Sequence, residues 1–167
     1  MGSPQDDRFR CLVHEHGAAI ANYLRRRLYP LTVADLDDLV EETMLVVWRR
    51  LNDIPREAEL PWMIGVARNI LRNARRSQYR KSNFEAALRA PHDHSSAEDH
   101  VIADASVRDA LTALNEDDRE VLLLNAWDGL DTHALGVALS ITTNAAAVRL
   151  SRAQSRFRER FTSLEVH

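Results

Sequence analysis

The sequence predicts an all-α protein: two small helical domains joined by a flexible linker, the C-terminal one a helix-turn-helix. Three observations lead there. Apolar residues recur at helical spacing through most of the 167 residues. A polar, turn-rich stretch, Ala90-Pro91-His92-Asp93-His94-Ser95-Ser96, interrupts that period. Near the C-terminus a short helix, a brief break and a longer helix follow one another. The domains are drawn at 1–81 and 106–167, with 82–105 as linker.

The first helix is expected over Phe9–Leu28, where Leu12, Val13, His16, Ala19, Ile20, Tyr23 and Leu24 share one face. Arg25-Arg26-Arg27 suit the negative end of its dipole and read as a solvated helix end, and Pro30 stops it. The second helix, Asp35–Leu51, carries an apolar stripe of Leu36, Leu39, Val40, Thr43, Met44, Val47, Trp48 and Leu51. Its other side holds Asp37, Asp38, Glu41, Glu42 and Arg49 around Leu45. An apolar anchor ringed by carboxylates has the composition of a protein-binding patch that meets a basic partner. Asn52–Pro61, punctuated by Pro55 and Pro61, is expected to be a loop.

Next comes the most informative stretch, Leu60–Lys81. As a helix from about Trp62, it places Met63, Val66, Ala67, Ile70, Leu71 and Ala74 on a core-facing arc. Arg68, Arg72, Arg75, Arg76 and Tyr79 fall on the opposite arc, with Asn69 at its edge. No acid occurs in the stretch, although a solvated face ordinarily mixes signs to gain i,i+4 pairs. Phosphates explain the arginines, and the ring and guanidinium planes offer surfaces for stacked bases. The other explanation is a basic face paired with acids elsewhere in the fold.

After the linker, Val107, Ala110, Leu111 and Leu114 form a short helix face. Asn115 can cap the next helix, with Glu116, Asp117 and Asp118 in its electropositive first turn, and Asp128-Gly129 stops it. Asp131 or Thr132 caps a third helix, and Ser140-Ile141-Thr142 breaks it. The last helix, about Thr143–Phe161, sets Ala146, Leu150, Ala153, Phe157 and Phe161 beside an arginine stripe of Arg149, Arg152, Arg156 and Arg160. In a helix-turn-helix this helix enters the major groove N-terminus first. Thr143, Asn144, Ala147 and Val148 would then face base edges while Arg149, Arg152 and Arg156 reach phosphates. An ordinary amphipathic C-terminal helix is the plainer alternative.

Composition bounds the function. A formal charge of −3 argues against a generally basic nucleic-acid coat; charge is segregated instead, which suggests more than one macromolecular partner. Cys11 is the single cysteine, so an internal disulfide and a Cys-rich metal site are excluded. His92, His94 and His100 lack cysteine partners and a helix face to fix them, so no metal and no cofactor is assigned. No nucleophile–base pair, carboxylate pair or phosphate-binding Gly loop appears, so no catalytic residue is assigned and the protein is not expected to be an enzyme. No apolar run approaches bilayer length and no signal-peptide pattern opens the chain, which makes the cytoplasm the expected compartment and excludes membrane insertion.

Together these motifs resemble the extracytoplasmic-function (ECF) sigma factors of the sigma-70 family, from about Phe9 to Phe161. Asp38-Leu39-Val40-Glu41-Glu42-Thr43 followed by Val47-Trp48-Arg49 is similar to region 2.2, and Pro61-Trp62-Met63-Ile64-Gly65-Val66-Ala67-Arg68-Asn69 to regions 2.3–2.4. Leu111–Leu114, Arg119–Leu122 and Asn144–Ala153 resemble region 4. The resemblance implies core RNA polymerase as partner, through its β′ clamp and its β subunit, with the clamp gripping Asp38, Glu41, Glu42, Leu45 and Trp48. It implies promoter DNA as a second partner. Arg68, Asn69, Arg72, Arg75, Arg76 and Tyr79 would follow the opened −10 strand, with a flipped base in a pocket partly built by Asn52–Pro61. The −35 duplex would be read through Thr143–Arg156. An anti-sigma factor is the third implied partner.

Three positions depart from the family pattern. Glu41 replaces the usual Gln, making that patch more acidic; Asn115 stands where Pro is frequent, which the capping reading covers. Ser140 replaces a turn glycine, so a distorted or differently built turn is expected. The competing functional class is a helix-turn-helix regulator that never acts as a sigma subunit. An all-α adaptor without nucleic acid leaves both arginine faces unexplained. The acidic Glu98–Asp131 region could also cover the basic faces when polymerase is absent.

Overall fold

The computed structural model describes residues 2–86 and 104–165, which form seven α-helices and one 3-10 turn. The chain divides into two compact units, Met1–Asp99 and His100–His167. Each builds its own core.

In the first unit, α1 (Pro4–Arg26) starts earlier than the apolar period indicates, because Ser3 and Asp6 form a capping box and Pro4 occupies its first position. α2 (Val33–Arg49) opens on Thr32, whose backbone N–H and hydroxyl both donate to Asp35 at 2.8 Å. Those bonds hold the Asp35 carboxyl below its ordinary pKa. Leu51 lies beyond α2, in a 3-10 turn, Leu51–Asp53. α3 (Glu59–Ala86) begins inside the stretch expected as loop. Pro61 sits in its first turn, where a missing N–H costs nothing.

The three helices pack on one another through Ile20, Leu24, Leu39, Val47, Met63, Ala67 and Leu71, all buried. Thr43 joins this core because its hydroxyl donates to the Leu39 carbonyl at 2.7 Å. Arg27 contradicts the expectation of a solvated triplet: it is 1% exposed. Its guanidinium lies 4.1 Å from the centre of the Tyr23 ring and donates to the Tyr23 carbonyl at 3.3 Å. The end of α1 therefore turns a cation inward, over a ring face and onto a terminal carbonyl. Val13, expected in the core, is 37% exposed.

The second unit holds α4 (Ala105–Thr112), α5 (Glu116–Ala126), α6 (Thr132–Leu139) and α7 (Thr143–Glu165). Asp104, Asn115 and Asp131 cap the first three, each accepting backbone N–H groups with its side chain. Arg119 reaches back to the Leu111, Thr112 and Leu114 carbonyls, closing the α4–α5 turn. Val121, Leu124, Leu135, Ala146 and Ala153 are buried at its centre.

The linker expectation is trimmed at both ends. Residues 82–86 continue α3 and Asp104 caps α4, while 87–103, with His92, His94 and His100, lie outside the described residues.

Candidate nucleic-acid interfaces

The helix-turn-helix is built as its sequence reading requires. α6 and α7 meet at a bend of 104° across Ser140-Ile141-Thr142. Ser140 adopts φ 55°, ψ 43°, so serine takes the left-handed conformation that glycine ordinarily supplies. The turn is neither distorted nor differently built. Ile141 N–H donates to the Gly136 carbonyl at 2.9 Å, closing the helix end. The glycine this turn needs lies four residues earlier. A Cβ on Gly136 would stand 2.9 Å from the Ile141 carbonyl oxygen and 3.3 Å from the Thr143 nitrogen, so α6 can approach the start of α7 only without a side chain there.

Thr142 caps α7, accepting the Ala145 N–H at 3.1 Å. Thr143 and Asn144 are exposed in its first turn, followed by Val148, also exposed, and by Ala147 and Arg149, half-buried. Arg152 is exposed one turn further on. The tip of the helix thus offers short polar and apolar groups, with cations behind it. Arg156, though exposed, turns back: its Nη1 lies 2.5 Å from Oδ2 of Asp118, which is 4% exposed and also accepts from Asn115 Nδ2 at 2.8 Å.

In the first unit, α3 presents Asn69, Arg76 and Tyr79 to solvent, with Arg68, Arg72 and Arg75 half-buried beside them. Arg72 and Arg76 form no ion pair among the described residues. Arg75 donates instead to the carbonyl of Arg27, at the end of α1. Burial, and then the neighbouring Tyr79, push the Tyr29 phenol above its ordinary pKa. Beyond them Phe84, near the end of α3, is 77% exposed. Sequence reading missed Phe84, since it lies in the stretch assigned to the linker.

A second surface of this unit lies on α2. Asp38, Glu41 and Glu42 are all exposed, around Leu45 at 46% and Trp48 at 39%. Trp48 is not the core residue its stripe position suggests; its ring and that of Phe9 pack in a T shape, with ring centres 5.2 Å apart. Phe9 was not foreseen here, because a first-helix aromatic outside the core arc shows no period linking it to α2.

One group with metal-ligand chemistry occurs among the described residues: Glu15, His16 and Glu59, whose ligand atoms lie within 4.8 Å of one another. Arg8 already faces Glu59 at 3.7 Å, which opposes a second cation there. Among the described residues no single helix is long and apolar enough to cross a membrane.

Comparison with known proteins shows what the chain is similar to. Residues 12–81 match sigma-70 region 2. The RNA polymerase sigma factor CarQ of Myxococcus xanthus is 29% identical over 165 residues, covering 96% of this chain and 92% of its own. The RNA polymerase sigma factor NccH of Alcaligenes xylosoxydans xylosoxydans is 27% identical over 167 residues, covering 95% and 89%. Among solved structures, the sigma factor RpoE of Bartonella quintana, in complex with the anti-sigma factor NepR, superposes with a TM-score of 0.57 at 20% identity, covering 92% of this chain and 96% of that one. That likeness shows the fold. With a sigma-70 region 2 matched over residues 12–81, the chain is similar along nearly its whole length to RNA polymerase sigma factors.

Proposed function

We propose that this protein directs core RNA polymerase to two-part promoters and aids strand opening at the −10 element. The observation that carries this reading is the separation of surfaces on the first unit. An acid-free cationic face lies on α3, and an exposed Leu45–Trp48 patch ringed by Asp38, Glu41 and Glu42 lies on α2. A regulator that binds DNA through its helix-turn-helix alone would use this unit for dimerisation or sensing, which leaves the acid-free α3 face unexplained.

The acidic patch grips the β′ clamp, and the second unit meets the β subunit while reading the −35 duplex. Thr143, Asn144, Ala147 and Val148 face base edges; Arg149 and Arg152 face phosphates. On α3, Asn69, Arg72, Arg76 and Tyr79 follow the opened strand, with Arg68 and Arg75 behind them. Unstacking a base costs a few kcal/mol, which backbone contacts and stacking must offset. Catalysis belongs to the polymerase, and the protein works in the cytoplasm. An anti-sigma factor, of the kind seen with the Bartonella RpoE, holds it inactive by covering these surfaces.

Run-off transcription with core polymerase and a promoter library tests the whole reading: transcripts that depend on both protein and promoter are expected. Leu45→Arg combined with Asp38→Arg should abolish pull-down of core polymerase while the helical circular-dichroism signal persists. Unchanged pull-down would instead favour a helix-turn-helix regulator that never engages polymerase.

A further inference from the structure

One guanidinium of α1 reaches the segment between α2 and α3, 43 and 46 residues along the chain. Arg8 Nη1 donates to the Leu51 carbonyl at 2.8 Å, and Nη2 to the Ile54 carbonyl at 2.9 Å. The same Nη2 lies 3.7 Å from Oε1 of Glu59, in the first turn of α3. His16 Nε2 stands 3.6 Å from the other oxygen of that carboxylate. The two carbonyls belong to a 3-10 turn and the residue after it, where short helical geometry leaves acceptors without backbone partners. A planar fork satisfies both at once, which the point charge of a lysine cannot. One side chain therefore joins α1, the 3-10 turn and the start of α3.

The segment it holds has two sides. Leu51, Ile54 and Ala58 are buried beneath it, while Asn52, Asp53, Arg56 and Glu57 face solvent. Arg50 secures the outer edge: its Nε donates to Asp53 Oδ2 at 3.0 Å, and its guanidinium lies 5.2 Å from the centre of the Trp62 ring. The polar rim at 52–57 is thus fixed from within by Arg8 and at one end by Arg50. It leads directly into the helix that carries the arginine face. A rim ordered before its ligand arrives spares the cost of ordering on binding.

We infer that Arg8 is a positioning residue, which sets the rim at 52–57 against the start of α3 and thereby the base preference at one position of the opened −10 strand. It acts through Leu51, Ile54 and Glu59 and touches no DNA. The inference rests on the sigma function proposed above.

Run-off transcription with core polymerase on templates randomised at both elements, read by sequencing the transcripts, measures preference at every position. For Arg8→Ala, preference at one −10 position falls about tenfold, the size expected for losing hydrogen bonds from a charged donor. The −35 preferences and the pull-down of core polymerase stay unchanged. Arg8→Lys keeps the charge without the fork and falls between wild type and alanine; it carries the test should Arg8→Ala fail to fold. An unchanged −10 spectrum overturns the inference, and so does a loss spread evenly over both elements, which would make Arg8 a stabilising residue only. Wild-type protein that supports no promoter-dependent transcript is a distinct result: it overturns the proposed function, and this inference with it.

Discussion

The two arginine-bearing helices, α3 and α7, are built alike but order their exposed groups differently. Both are long and amphipathic, with an apolar arc in the core of their unit and cations beside it. In each, one arginine turns back into the protein: Arg75 to the carbonyl of Arg27, and Arg156 to the carboxylate of Asp118. The rest of the pattern diverges. On α3 the arginines run the length of a face that ends in exposed Tyr79, which suits a flexible strand followed along its backbone. On α7 the first turn and a half is uncharged, with Thr143, Asn144 and Val148 exposed ahead of Arg149 and Arg152. That order suits a rigid duplex, where a groove admits the tip and phosphates flank it. An arginine stripe alone therefore identifies neither the strand state of its ligand nor which members bind it.

The comparison breaks most readily at Arg75 and Arg76, neighbours in opposite surroundings: one donates to a backbone carbonyl and the other is exposed. Arg75→Ala deprives the end of α1 of a charged donor in a half-buried site, and should lower unfolding free energy by about 2 kcal/mol in urea. Arg76→Ala should change stability by less than about 0.5 kcal/mol. In the holoenzyme, Arg76→Ala should weaken binding to opened promoter evenly across sequences and reduce the salt slope by about 1. Equal stability losses would show that α3 has no division between anchoring and binding arginines.

A smaller effect tests the same division on α7. Arg156→Ala removes the partner of a buried carboxylate, but Asn115 still donates to Asp118 and the Arg156 side chain is 52% exposed. Solvent screening cuts the worth of such a pair, so a loss of about 1 kcal/mol is expected. Arg152→Ala should leave stability unchanged and weaken binding to −35 duplex at every sequence alike. If Arg156→Ala instead cuts duplex affinity as strongly as Arg152→Ala, the Asp118 contact gives way when DNA binds.

Much of this was legible in the sequence, for local reasons. Asn115 and Asp131 announce their helices because a cap acts within three residues. The core faces of α2, α3 and α7 follow from a 3.6-residue period. Arg27, Arg75 and Arg8 were not legible in their roles, and share one cause. Each uses a guanidinium to satisfy a backbone carbonyl at a helix end, and for Arg8 and Arg75 that carbonyl lies 43 to 48 residues away. A carbonyl leaves no mark in sequence, so a structural arginine there looks the same as a solvated one. Trp48 misled for the opposite reason: a residue at a core position in the stripe lies at its margin, and its neighbour Phe9 comes from another helix.

The smallest test returns to the turn that joins the halves of the helix-turn-helix. Ser140 holds φ 55°, a conformation that crowds its Cβ, whereas glycine enters it freely. Against that stands the larger backbone entropy glycine loses on folding. Because residue 140 is exposed, its side chain contributes little packing to set against either. The steric term should win, so Ser140→Gly should raise the stability of the second unit by about 0.5 kcal/mol, while Ser140→Val lowers it by about 1 kcal/mol. Thermal unfolding followed on Trp127, in that unit, separates the two. Destabilisation by glycine would mean that the serine side chain supports the turn, and that the α6–α7 angle depends on it.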